Sequence, residues 1–193
     1  MLKLIMIVYC VLSINMLFRI FSLVPFKKYI AEIYSGILRV FKLQFGDTIL
    51  SIGLFPVYFS IRLKNFRTVR QNLRVKIGII PEIVGLMAHL FIALTMLGST
   101  KVVQFLISIL KSFYFLFLGT NRMVEFGQLN NFQVAGALSL VFFIIECIPY
   151  KDLSSGKLLR VVIVDILGMP LVFKYLQILL IILFMYLVLI NII

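Results

Sequence analysis

Leu4-Ile5-Met6-Ile7-Val8-Tyr9-Cys10-Val11-Leu12-Ser13-Ile14-Asn15-Met16-Leu17-Phe18-Arg19-Ile20-Phe21-Ser22-Leu23-Val24 is an apolar run with one charge in it, and it ends against Pro25. About 20 apolar residues are enough to cross a bilayer as a helix. A fixed cation inside such a run persists when it faces protein or water and has a partner or a task, and a proline at that depth frees backbone groups that neighbours must satisfy. The pattern returns downstream. Lys111 lies inside Val102–Leu118, Glu146 and Pro149 close Val134–Pro149, and Lys157 and Asp165 flank a short apolar stretch that stops at Gly168-Met169-Pro170.

Hydrophobic residues make up 63% of the 193-residue chain and charged residues 13%, with a mean hydropathy of +1.15. That composition excludes a soluble domain. The runs Leu4–Val24, Ile49–Ile61, Ile77–Leu97, Val102–Leu118, Val134–Pro149, Leu158–Leu167 and Leu171–Ile193 predict an all-α fold: a polytopic membrane helix bundle of roughly five to seven segments. Strand periodicity and barrel turns are not evident. The whole chain, 1–193, reads as a single transmembrane domain.

Nineteen Lys and Arg oppose seven Asp and Glu, a net charge of +12. In a soluble protein this would raise nucleic acid as a partner. Here the block Arg62, Lys64, Arg67, Arg70, Arg74 and Lys76, which contains no acid and joins two apolar runs, reads as a loop held on the negative side of an energised membrane. Membrane lipids are the expected surroundings, and no nucleic-acid partner is expected. Cys10 and Cys147 read as small buried hydrophobes, and no metal-ligand spacing is present. The N-terminus shows neither a signal-peptide cleavage site nor transit-peptide character, so Leu4–Val24 is expected to be retained. Insertion from within is then expected, in an organelle with its own genome or a bacterial cytoplasm.

From Leu17 to Gly36 the chain reads Leu-Phe-Arg-Ile-Phe-Ser-Leu-Val-Pro-Phe-Lys-Lys-Tyr-Ile-Ala-Glu-Ile-Tyr-Ser-Gly. This resembles the broken-helix signature of the antiporter-like membrane-arm subunits of respiratory complex I, most of all NADH dehydrogenase subunit 2. Phe18-Arg19 falls on the family's Phe-Lys, Pro25-Phe26 on its Pro-Phe, Glu32-Ile33-Tyr34 on its Asp-Val-Tyr. Arg19 stands for a lysine and Lys27 for a histidine, and the spacer before Pro25 is one residue longer. Arg70-Gln71-Asn72-Leu73-Arg74 is similar to a second family segment, and Ser112-Phe113-Tyr114 to Thr120-Asn121 to a third. Ile148-Pro149 followed by Gly156-Lys157 resembles the second broken helix.

The resemblance implies an antiporter-like bundle with two broken helices, at Pro25 and at Pro149 and Gly156, equivalent to the C-terminal half of the subunit. It further implies a separate chain supplying the N-terminal half, other complex I membrane-arm subunits as partners, and the mitochondrial inner membrane, with a bacterial inner membrane as the alternative. The implied activity is proton translocation coupled to NADH:ubiquinone reduction. No cofactor is expected on this chain; NADH, flavin, iron–sulfur clusters and ubiquinone would lie on other subunits.

Candidate proton-transfer residues are Lys157, Lys111, Arg19, His89, Glu146, Asp165 and Lys42. Lys157 reads either as a titrating amine at a helix break or as a loop lysine snorkelling to an interface. Lys111 is too deep in its run to snorkel easily, and Glu146, Asp165 or Glu82 is its candidate acid. Arg19 holds its charge permanently and suits proton carriage poorly. His89, as a lone histidine, suits a helix interface or a relay better than a metal or haem. Lys42 reads equally as interfacial. The competing functions are a degenerate, non-pumping structural subunit and a free-standing proton or cation transporter.

Overall fold

A computed structural model describes residues 2–64, 69–117 and 129–192. Arg67 of the basic block, and Thr120-Asn121 of the third matched segment, lie outside the described residues. The chain resolves into two compact units, Met1–His89 and Leu90–Ile193.

The first unit begins with α1 (Leu2–Ser22), followed by a 3-10 turn (Val24–Tyr29), strands β1 (Ile30–Phe45) and β2 (Thr48–Leu63), and the start of α2 (Gln71–Leu97). This corrects the all-α expectation. The segment Ile49–Ile61, read as a membrane pass, is most of a strand, and Pro25 does not break a helix: α1 has already ended, and the chain leaves the 3-10 turn as a strand. Among the described residues, two helices are long and apolar enough to cross a membrane, α1 and α2, in place of five to seven segments.

β1 and β2 form an antiparallel hairpin closed at Gly46-Asp47, with Gly46 in the left-handed region at φ 61°. A two-residue loop with glycine first is a favoured hairpin turn because its twist matches that of the strands. The hairpin is also doubled over. Glu32 faces both Arg62 and Ile49, and Ser35 faces both Phe59 and Ile52. In the second set of pairs the residue numbers rise together, so β1 runs alongside part of β2 as well as against it. The segments therefore lie in the order 41–45, 48–52, 32–35, 59–62.

Glycines make the crease possible. A Cβ on Gly53 would come within 2.4 Å of the Ile37 carbonyl oxygen, and one on Gly36 within 2.7 Å of the Phe55 oxygen. Gly36 has φ 91°, and Leu38, with φ 55°, is the positive-φ residue other than glycine that the bend requires. The doubled hairpin covers the end of α1: Met16 and Leu23 pack with Ile30, Ile33, Leu50 and Phe59 and with Ile77 of α2.

The second unit is helical. The end of α2 leads through Gly98, left-handed at φ 81°, into α3 (Ser99–Phe117), and α4 (Asn131–Cys147) starts at a capping box between Asn130 and Gln133. Ala93, Leu97, Val102 and Leu140 form its core. α4 stops at Ile148-Pro149, and α5 (Ser154–Arg160) runs into a π-helical segment, Val161–Ile166. Pro170 opens α6 (Pro170–Ile192), the N-terminal position that proline tolerates best.

Candidate functional site

Val11, Asn15 and Arg19 are four residues apart in turn, so they share one face of α1, and all three are buried. Arg19, only 3% exposed, reaches α2. One of its terminal nitrogens donates to Glu82 Oε2 at 2.5 Å, and its Nε donates to Asn15 Oδ1 at 2.8 Å. Asn15 Nδ2 in turn donates to the Gly85 carbonyl at 2.6 Å. Gly85 leaves the space that the guanidinium fills, since a Cβ there would lie 2.3 Å from Arg19 Nε. Phe59 of the hairpin roofs the cation, with its ring centre 5.8 Å away.

The acid beside Arg19 is thus Glu82, which follows Pro81 inside α2. Glu82, a candidate acid for Lys111 in the sequence, forms an ion pair with Arg19. His89, fully buried, lies about two turns further along α2. In a buried pair of this kind, desolvation offsets much of the attraction, but removing one partner strands the other. The arrangement suits a lock between helices. The guanidinium is held from two sides, by the Glu82 carboxylate and the Asn15 amide oxygen.

A second polar cluster sits on the hairpin. Glu32 accepts hydrogen bonds from the Tyr34 hydroxyl and from Ser51 Oγ, the latter at 2.7 Å. These bonds, Tyr34's first, hold its carboxyl below the usual range, with the Arg39 and Lys42 charges adding to the effect. Arg39 stacks on the Tyr34 ring at 4.2 Å.

The remaining sequence candidates lie on β1 and on the helices of the second unit. Lys42 is exposed on β1, a strand, and so is not a lysine within a helical channel. In the second unit Lys111 is exposed on α3, Asp165 is exposed on the π-helical segment, and Lys157 is half-buried on α5. Glu146 accepts from Ser154 Oγ at 2.7 Å across the α4–α5 break. The break holding Pro149 is stitched by Gln177 of α6, which donates to the Pro149 carbonyl at 2.7 Å and accepts from the Lys151 N–H at 2.8 Å. Gly156 packs directly on the Tyr150 carbonyl, where any Cβ would collide.

Sequence reasoning missed Asn15, Gly85 and Gln177. Asn15 carries a legible signal, a polar residue one turn before the buried cation in an otherwise apolar run; Gly85 and Gln177 acquire their roles only from tertiary contacts. Among the described residues no group of three His, Cys, Asp or Glu side chains is placed to hold a metal ion. No family model, curated protein or solved structure matches this chain.

Proposed function

We propose that this chain is a membrane-embedded binding protein that takes up an extended polypeptide segment along the open edge of its doubled hairpin. The edge itself carries the reading. Every residue from 37 to 47 is exposed, and among the described residues no further strand lies beside this stretch. Ile37, Leu38, Val40, Phe41, Leu43 and Phe45 are all between 45% and 66% exposed. An apolar strand edge with unpaired backbone groups is a template for strand addition, which folded proteins otherwise blunt or cover.

Membrane embedding is supported by the helices. α1, with 21 residues, is roughly 31 Å long, close to the hydrocarbon core of about 30 Å. Near lipid the unpaired N–H and C=O groups of the edge gain more from a partner strand than they would in water, because no solvent competes for them. Arg39 and Lys42 are exposed on the same stretch, and their positive charge favours a segment carrying an acid.

The test uses the full chain in lipid nanodiscs and a synthetic peptide of alternating Val and Thr with one central Glu. Amide exchange at residues 38–44 should slow on adding the peptide. The same peptide with one residue beside the Glu replaced by proline should give no protection. Absence of protection, or equal protection by both peptides, would overturn the reading.

A second reading, the proton-translocating membrane-arm subunit implied by the resemblance, draws support from one observation: the helix break at Pro149 lies just ahead of Lys157. Its other broken helix, at Pro25, is here a 3-10 turn leading into a strand. Lys157→Met in the assembled membrane complex should abolish most coupled proton pumping on this reading; normal pumping would end it.

A further inference from the structure

We infer that the open base of the hairpin forms a basic collar that seats on the headgroups of anionic lipids. This rests on the membrane-embedded part of the proposed function, though not on peptide capture. Doubling the hairpin over brings its tip back to its base. Thr48, beside the tip, donates to the carbonyls of Lys27 at 2.9 Å and Ile30 at 3.0 Å, while the Lys64 N–H donates to the Tyr29 carbonyl at 3.0 Å. Leu63 and Leu73 then pack on the same core as Leu23 and Ile77, which places the first turns of α2 beside this base. Lys27, Lys28, Arg62, Lys64, Arg70 and Lys76 are thereby collected at one end of the unit, where α1 finishes and α2 starts.

Acids offset only a small part of this charge, Asp47 through its pair with Lys64. Residues 1–89 contain twelve Lys and Arg against three Asp and Glu. Glu82 is held by Arg19, Glu32 by Tyr34 and Ser51, and Asp47 by Lys64 at 3.0 Å. Like charges gathered at one end repel one another at separations up to a Debye length of about 8–10 Å, and a polyanionic surface offsets that repulsion. The surface sits at the ends of two helices of membrane-crossing length, and Phe21, 68% exposed, lies in the last turn of α1 beside it. That is the level of lipid headgroups, and it favours an anionic leaflet over nucleic acid. Each cation near such a leaflet raises local anionic lipid about fivefold at most.

The chain has no tryptophan, so Phe21→Trp supplies a single reporter. The full chain is reconstituted in phosphatidylcholine vesicles containing a fixed fraction of chain-brominated lipid, either phosphatidylglycerol or phosphatidylcholine. Brominated phosphatidylglycerol should quench at least threefold more at equal mole fraction, and the excess should vanish in 0.5 M salt. In the variant that also carries Lys27→Gln, Lys28→Gln, Arg70→Gln and Lys76→Gln, the excess should fall to near unity while quenching by brominated phosphatidylcholine stays unchanged, showing that the variant remains inserted. Lys151→Gln with Lys174→Gln should leave it intact. Equal quenching by both lipids, an excess that survives in the neutralised collar, or its displacement by a short RNA would overturn the inference. Quenching by neither lipid would overturn membrane embedding as well.

Discussion

The two units bury polar groups by opposite means. In Met1–His89 a full charge is carried into the contact between two apolar helices and met there by Glu82, Asn15 and the carbonyl of Gly85. In Leu90–Ile193 the polar groups exposed by the break after α4 are met by the neutral amide of Gln177 and by serine hydroxyls. An ion pair penalises the loss of one partner more than the loss of both, whereas a neutral stitch loses stability in proportion to the bonds removed. The first unit should therefore behave as a lock that fails abruptly, and the second as a seam that loosens.

The largest effect expected is at the lock. Glu82→Ala strands a buried guanidinium and should cost about 3–5 kcal/mol. Replacing Arg19 and Glu82 together by Met should recover most of that loss. Denaturant titration of the reconstituted protein reads both; a double variant no better than the single one would show that the pair is not what fails. Next comes the crease, where Gly53→Ala drives a Cβ into the Ile37 carbonyl and should cost about 3 kcal/mol. Gly46→Ala meets no neighbour within 4 Å and bears only the left-handed backbone cost of about 1–2 kcal/mol. Thermal melts that rank the two the other way would place the strain at the tip.

The seam should give less. Gln177→Leu removes both bonds to the break and should cost about 1–2 kcal/mol, with faster amide exchange confined to residues around 148–153. Uniformly faster exchange in this unit would mean that the break is held by something else. The smallest effect is electrostatic. The Glu32 carboxyl titrates below its ordinary 4.5, so its contribution is present above that pH and is lost as the pH falls through the lower folded value. Glu32→Gln should flatten the acid limb of the hairpin's stability curve. An unchanged limb would assign acid sensitivity to another group.

The helices were legible in the sequence and the hairpin was not. Leu4–Val24 and Ile77–Leu97 lie largely within α1 and α2, because a long apolar run with few charges has few structural solutions. Residues 49–61 form a short, almost continuous apolar run, which periodicity alone cannot divide between helix and strand. The deciding signals were local: Gly46-Asp47 between β-branched and aromatic residues, and glycines at 36 and 53. A resemblance to helical proteins pointed the other way over Leu17–Gly36. Arg19's need for a partner could be read from its position; that the partner is Glu82 depends on how α1 meets α2.

The interleaving of the hairpin has a kinetic consequence. Segment 48–52 lies between two stretches of β1, so it cannot be withdrawn from one without being exposed along the other. Fraying from the tip, the ordinary route by which a two-stranded ribbon opens, is closed to it, because the tip is itself tied to Lys27 and Ile30 through Thr48. The amides of 49–52 and 32–35 should then exchange together in one all-or-none opening, as a single cooperative unit, while residues 39–45 on the outer edge exchange ahead of them.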